Sequence, residues 1–407
     1  MNTKSYAIVT ASYWGFTLTD GALRMLVLLH FHSLGFSPLN LAFLFLLYEF
    51  CGVLTNLLGG WVGSRVGLKV TLYTGLALQI IALLMLSMIH PHWAMSLSVS
   101  YVMASQALSG IAKDLTKMSS KSAVKLVVNG GEGALFKWVA ILTGSKNALK
   151  GVGFMLGGVS LTWLGFTHSL WLMAAALGLV LLAALIFLNQ DMGKSKKKVK
   201  FTQLFSKSRE INWLSASRFF LFASRDVWFV VALPVFLKSQ LGWSFNQVGS
   251  FMAAWVIAYG LVQASAPRLI GHHRPGRSAA RWVGLLTLIT VCLAAAIMLN
   301  FHPVASIFVG LGIFGIVFAI NSAVHSYLIL TFTSDDQVAL NVGFYYMANA
   351  WGRLVGTLLS GLMFIFGGLP ACLWTSAVML LAAFIMTLPL RSTQRTTQCA
   401  VDSDDER

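Results

Sequence analysis

The sequence predicts an all-α membrane protein: twelve transmembrane helices arranged as two six-helix halves. Three observations carry this reading. Of 407 residues, 57% are hydrophobic and only 10% charged, with a mean hydropathy of +0.76; a soluble chain of this length keeps a far more charged surface. Apolar runs of about twenty residues, enough to cross a ~30 Å hydrocarbon core as a helix, recur along the whole chain. A basic stretch, "KSKKKVK" (194–200), then divides those runs six and six.

The spans follow in order. The first, 6–31, is apolar but carries Asp20 and Arg24 near its centre. The second, 39–61, opens after the turn signal "LGFSP", and the third, 70–89, follows "RVGLK" and stops at "HPH". Span four covers 93–112. Spans five and six, 137–163 and 168–188, are parted only by the short "LGFT". The basic linker 189–211 leads into span seven, 212–237, which ends at "KSQLGWS". Spans eight to ten cover 245–269, 282–299 and 303–328, bounded by "HHRPGR" and "NFHP". The last pair, 340–366 and 370–390, is separated by "GGL", and a polar tail, 391–407, closes the chain. The domains expected are therefore 1–188, the linker 189–211, 212–390 and the tail.

An even number of spans puts both termini on one side. Six of the 29 Lys and Arg lie well inside spans, Arg24, Lys146, Lys150, Arg218, Arg225 and Arg353, with Lys137 and Arg268 at span edges on the terminal side. Outside the spans, Lys238 alone falls on the face opposite the termini. This asymmetry is the positive-inside bias and predicts cytoplasmic termini. It also accounts for the net charge of +16 without nucleic acid. The first apolar run is too long, and too polar at its centre, for a cleaved signal.

Several classes are disfavoured. Cys51, Cys292, Cys372 and Cys399 are scattered, with no C-x-x-C and no His/Cys cluster, so no metal site, disulfide framework or cofactor is expected. No nucleophile elbow, H-E-x-x-H or P-loop is present, which argues against a membrane enzyme and against ATP-driven transport by this chain alone. A transporter is the class that remains.

An internal repeat supports it. A shift of 207 residues sets "LGFS" (34–37) on "LGWS" (241–244), Tyr48 on Trp255 and Asn56 on Gln263. Two parallel halves about a central path follow. Between spans two and three, "GGWVGSRVGLK" (59–69) resembles the loop signature of the major facilitator superfamily, matched at Gly60, Arg65, Gly67 and Lys69. Ser64 stands where that signature has an acid. In span five, "GFMLGG" (153–158) resembles the superfamily's Gly-rich antiporter motif, with Phe154 in place of Pro; glycines there let helices approach closely. Gln106 of "QALSG" replaces the buried Arg of many proton-coupled drug exporters, against a generic drug antiporter.

Over nearly its whole length the chain resembles the organoarsenical efflux permeases of bacterial arsenic-resistance operons. The segments that carry this are "YWGFTLTDGALRMLVLLHFHSLGFSP", "QALSGIAKDLTKMSSKSAVK" and "LTGSKNALKG". The resemblance implies inner-membrane export of 1-arseno-3-phosphoglycerate. Glyceraldehyde-3-phosphate dehydrogenase, as functional partner, would supply that ester by accepting arsenate for phosphate.

The buried charges bear on the same question. A basic residue at a helix centre costs roughly 2.5–3.5 kcal/mol on insertion scales. The six span bases face only three span acids, Asp20, Glu49 and Asp226. Unmatched cations call for an anionic ligand, and the planar guanidinium suits an oxyanion best. In the superfamily, spans one, four, seven and ten line the cavity, which singles out Arg24, Arg218 and Arg225, with Arg24 and Arg225 as the central pair. Asp20 and Arg24, at i,i+4, are expected to neutralise each other when the site is empty. Asp226 is not expected to pair with Arg225, because adjacent helical residues do not face each other. Lys146 and Lys150 share one face, either near mid-membrane beside the substrate or at the interface as snorkelling lysines. Arg353 is either a cavity residue or a helix lock. Asp20, Glu49, Asp226 and His325 are the residues that could couple protons to transport. The stripe Lys113, Lys117, Lys121, Lys125 reads as a soluble basic helix, lying on anionic lipid, gathering anions or docking a partner.

Overall fold

The computed structural model describes residues 3–90, 92–127, 132–188, 208–270, 275–332 and 338–390. Residues 189–207 of the linker, the tail and most of "HHRPGR" lie outside the described residues or their described side chains. All regular structure among the described residues is helical. The helices are α1 (Thr3–Ser33), α2 (Pro38–Val66), α3 (Leu68–Ser87), α4 (Met95–Val127), α5 (Glu132–Phe187), α6 (Arg209–Phe229), α7 (Ala232–Ser239), α8 (Phe245–Ile270), α9 (Pro275–Met298), α10 (Pro303–Thr331) and α11 (Val338–Thr387).

Two of these are too long to cross once. The 56 residues of α5 would extend about 84 Å at 1.5 Å per residue. The chain reverses instead at Gly165, whose φ of 73° and ψ of −177° lie where only glycine is comfortable. The 50-residue α11 reverses at Gly367–Gly368, where Gly368 takes φ 63°, and Pro370 follows. Helices α6 and α7 together form one crossing, 209–239. The eleven helices therefore make twelve crossings, and both hairpin breaks fall at the short separators read from the sequence. The 207-residue shift is visible too. It carries the start of α2, Pro38, onto the start of α8, Phe245, and the start of α3, Leu68, onto that of α9, Pro275.

The distribution of polarity is inverted relative to a soluble protein. Trp163, Leu179, Phe187, Leu288, Phe366 and Val378 are exposed, whereas Asp20, Glu49, Arg218 and Asp226 are at most 5% exposed. Helices satisfy their own backbone in hydrocarbon, so an apolar outer face and a charged interior are compatible with a bilayer and not with water. This is a multi-pass membrane protein.

Close glycine contacts set how the halves meet. A Cβ at Gly153 or Gly157 of α5 would run into the carbonyls of Leu18 and Ala22 on α1. Across the halves, a Cβ at Gly158 would come 2.6 Å from the Phe245 carbonyl of α8, and one at Gly151 would come 2.8 Å from that of Ala253. Nearer the termini the same pair loosens: at Gly260 the nearest atom is 3.1 Å away, and at Gly144 it is 3.5 Å away. Helices α2 and α11 behave alike, with 2.5 Å at Gly361 and 3.9 Å at Gly343. The halves thus touch backbone to backbone at the face opposite the termini and splay toward the terminal face. Gly158→Val is expected to cost that closed packing roughly 1–3 kcal/mol. It should slow transport about tenfold at matched expression, while Gly144→Ala, whose Cβ meets nothing closer than 3.5 Å, is tolerated; initial rates in vesicles distinguish them.

Two readings need adjustment here. Span four does not stop at residue 112, since α4 continues unbroken to Val127 and takes in the lysine stripe. The side chains of Lys121 and Lys125 lie outside the described residues. In the loop motif, Gly67 breaks α2 from α3 with φ 95°, and Lys69 sits 5.8 Å from the Tyr73 ring. Gly60 and Arg65 are in α2, and the Arg65 side chain lies outside the described residues.

Candidate functional site

Four helices bring ionised groups together at one depth. Arg24, Glu49, Asp226 and Arg353 lie between nine and thirteen residues from the helix ends opposite the termini. At 1.5 Å per residue that is about 14–20 Å, the middle of the hydrocarbon core.

The groups form a chain of alternating charge. Arg24 Nη2 of α1 donates to Glu49 Oε1 of α2 at 2.7 Å. Arg353 Nη2 of α11 donates to the same oxygen at 2.5 Å, crossing from one half to the other. The Nε of Arg353 then donates to Asp226 Oδ2 of α6 at 3.3 Å. Arg225 closes the chain on Asp226 Oδ1, through Nε at 2.7 Å and Nη2 at 2.5 Å. Aromatic faces line it. The Arg24 guanidinium is 5.2 Å from the rings of both Phe45 and Tyr48, and that of Arg225 is 4.8 Å from Phe222.

Two branches extend from it. Lys150 of α5 lies 3.4 Å from Asp20, which also accepts the Tyr48 hydroxyl at 2.6 Å. On α4, Lys113 stands 4.0 Å from Glu49, 3.9 Å from Asp114 and 4.0 Å from the Tyr48 ring centroid. Lys117 pairs with Asp114 at 3.0 Å, donates to Asn56 at 2.7 Å and approaches the Tyr346 ring at 5.1 Å. Counting Arg218 of α6, seven buried or half-buried cations (Arg24, Lys113, Lys117, Lys150, Arg218, Arg225, Arg353) face four buried acids (Asp20, Glu49, Asp114, Asp226). The excess is three positive charges. Breaking a buried pair by removing one partner typically costs 3–5 kcal/mol, so each acid here is held by the cations around it.

Such a site can exchange partners. Glu49 and Asp226 occupy the guanidinium forks that a phosphoryl, arsenyl or carboxylate group would use, so an entering oxyanion can replace them on Arg24, Arg225 and Arg353.

Several sequence readings change. Asp20 and Arg24 do not pair with each other: the short Asp20 side chain points to α5, while Arg24 reaches sideways to α2. Arg225 does bond Asp226, its neighbour in sequence, because three methylenes carry the guanidinium around the helix. Arg24 and Arg225 both belong to the central chain, but Arg353 stands between them and links the halves. Lys150 is inside, next to Asp20, and Lys146 is half-buried one turn nearer the termini. His325, fully buried on α10, makes no hydrogen bond to the acid chain among the described residues. The sequence reading missed Lys113, Asp114 and Lys117, taken for a soluble stripe, and the roles of Tyr48 and Asn56. The available signal was that "IAKDLTK" continues the helical period of span four, with Lys113 and Lys117 on one face and Asp114 able to pair at i,i+3.

The Major Facilitator Superfamily model matches the chain twice, over residues 7–224 and 214–401. No curated protein matches it. Among solved structures, a POT family transporter in complex with 5-aminolevulinic acid superposes with a TM-score of 0.74 at 15% identity, covering 95% of this chain and 96% of its own. A bacterial homologue of the iron transporter ferroportin, inward-facing, gives 0.70 at 15%, covering 95% and 99%. The human organic anion transporter MFSD10 (TETRAN) gives 0.67 at 16%, covering 95% and 100%. At these identities the likeness is one of fold. With twelve crossings, a twice-matched family model and a charged mid-membrane centre, the chain belongs to the major facilitator superfamily and is a secondary transporter, not an enzyme.

Proposed function

We propose that this transporter exports a small organic oxyanion, 1-arseno-3-phosphoglycerate, by alternating access, and so confers arsenate resistance. The observation that carries the oxyanion reading is the buried charge network, whose six cations outnumber its four acids by two before Arg218 is added, and which Arg353 and Glu49 join across the halves. A lipophilic cation would find no compensation there. The choice of the arsenate ester, the direction of transport and the bacterial inner membrane rest on the resemblance to the organoarsenical permeases. With the termini in the cytoplasm, the splay of the halves toward the terminal face makes this the inward-facing form. The halves 1–188 and 212–390 rock about the site, and the segment 189–211 links them.

Substrate binding frees acids. When the ester takes the forks of Arg24, Arg225 and Arg353, Glu49 and Asp226 lose their donors and become the proton acceptors of an antiport cycle; Asp20, held by Lys150 and Tyr48, is the third. Glyceraldehyde-3-phosphate dehydrogenase supplies the ester in solution.

Everted membrane vesicles test this. Arsenic accumulation is measured with arsenate alone, then with arsenate, glyceraldehyde 3-phosphate, nicotinamide cofactor and the dehydrogenase. Accumulation is expected only in the complete mixture. Accumulation from arsenate alone would make the chain an inorganic oxyanion carrier. None in either, with expression confirmed, would point to exchange or import of a natural organophosphate.

A further inference from the structure

Arg218 differs from every other arginine of the site. It is 5% exposed, yet its hydrogen-bond partners among the described residues are all neutral: Nε donates to Asn349 Oδ1 at 3.0 Å, and Nη1 to the Ser322 carbonyl and hydroxyl at 3.2 and 3.1 Å. Among the described residues no carboxylate lies within 4.0 Å of it. A buried guanidinium without a counter-charge is costly unless an anion joins it.

The surroundings hold further unused polar capacity. Asn321 and His325, one turn apart on α10, are both 0% exposed, and both amide atoms of Asn321 and both ring nitrogens of His325 have no hydrogen-bond partner among the described residues. They share a face of α10 with Ser322, which holds Arg218. Each such orphaned buried group costs about 1–3 kcal/mol unless a ligand satisfies it.

The distance to the central site is bounded by one ring. The guanidinium carbons of Arg218 and Arg225 lie 4.0 and 4.8 Å from the Phe222 centroid, so they are at most 8.8 Å apart. A bound of that size admits two oxyanion groups on a backbone of two or three carbons.

We propose that Arg218, Asn321 and His325 form a second oxyanion subsite within the C-terminal half, which selects anions carrying two charged groups over those carrying one. This rests on the oxyanion reading of the central network and adds to it the residues that recognise the second group. Asn321 and His325 supply an N–H donor each, and Arg218 supplies the charge.

Equilibrium binding to the purified full-length chain tests it, with 3-phosphoglycerate and glycerol 3-phosphate as probes. They share a three-carbon backbone and a phosphate and differ in a carboxylate. The wild type is expected to prefer 3-phosphoglycerate at least tenfold. Arg218→Gln should reduce that preference to within threefold, and Asn321→Ala should reduce it several-fold. The second variant removes only partnerless atoms, so a role confined to packing would leave its preference unchanged, and it guards against an Arg218 variant that fails to fold. Arg225→Gln should weaken both probes. A preference retained in both pocket variants would overturn the subsite and leave the central reading standing. Equal loss of both probes in Arg218→Gln would show that it is not a separate subsite. A wild type that binds neither probe would overturn the oxyanion reading and this inference with it.

Discussion

Arg353→Gln abolishes transport, with an expected fall of at least 100-fold in the rate at low substrate. Arg353 is the residue that joins the two halves, donating to Glu49 at 2.5 Å on one side and to Asp226 at 3.3 Å on the other. Its loss leaves both acids with one fewer donor in a medium where removing one member of a buried pair costs about 3–5 kcal/mol. It also removes a fork from the substrate. A loss of about 2.7 kcal/mol at the transition state is already 100-fold. Lysine restores the charge but not the geometry, because one ammonium cannot reach both acids as a planar fork does; Arg353→Lys should remain at least tenfold impaired. The double variant Glu49→Gln, Arg353→Gln separates folding from function. In Arg353→Gln, Glu49 keeps Arg24, whereas the double variant leaves Arg24 without its acid; the double variant should therefore be the less stable of the two, and neither should transport. Initial rates in vesicles, normalised to expression, give the first comparison, and thermal unfolding in detergent the second.

Glu49→Gln shifts binding and turnover in opposite directions. In the empty carrier Glu49 neutralises Arg24 and Arg353 at once. Glutamine leaves both guanidinium groups to the substrate without a competitor, so KM should fall several-fold. The empty form then holds Arg24 without its acid and leaves Arg353 on Asp226 alone, which raises the cost of the return step. Net transport should fall more than tenfold at saturation, whereas exchange with substrate on both sides, which bypasses the empty return, should be reduced far less. A residue that merely braces the helices would lower net transport and exchange together. Counterflow in proteoliposomes measures both.

The fold was largely legible because a membrane imposes it. Span length, the "LGFT" and "GGL" separators, the basic linker and the 207-residue repeat each reflect a single constraint, crossing a bilayer with a satisfied backbone. The glycines of "GFMLGG" were legible for the same reason: Gly153, Gly157 and Gly158 sit where any Cβ would strike a neighbouring carbonyl. The site was legible in composition and not in pairing. That six basic residues lay inside spans with too few acids followed from the sequence, but which acid each would hold did not. Arg24 reaches Glu49 on another helix, and Arg225 reaches its own neighbour Asp226, because a long flexible side chain is placed by tertiary packing rather than by helical spacing. Lys113 and Lys117 were missed because hydropathy ends a span where charges begin. Here Asp114, Asn56 and Glu49 compensate those charges from inside. His325 and Asn321 could be placed on α10 by periodicity, but the lack of partners around them appears only in three dimensions.

The measurement that bears most directly on exchange between internal acids and an external anion is the affinity of the purified chain for 3-phosphoglycerate, compared among wild type, Arg353→Gln and Glu49→Gln. If the anion displaces Glu49 from the arginines, affinity falls at least tenfold in Arg353→Gln and rises several-fold in Glu49→Gln. A loss of affinity in both variants alike, or no change in either, would contradict it.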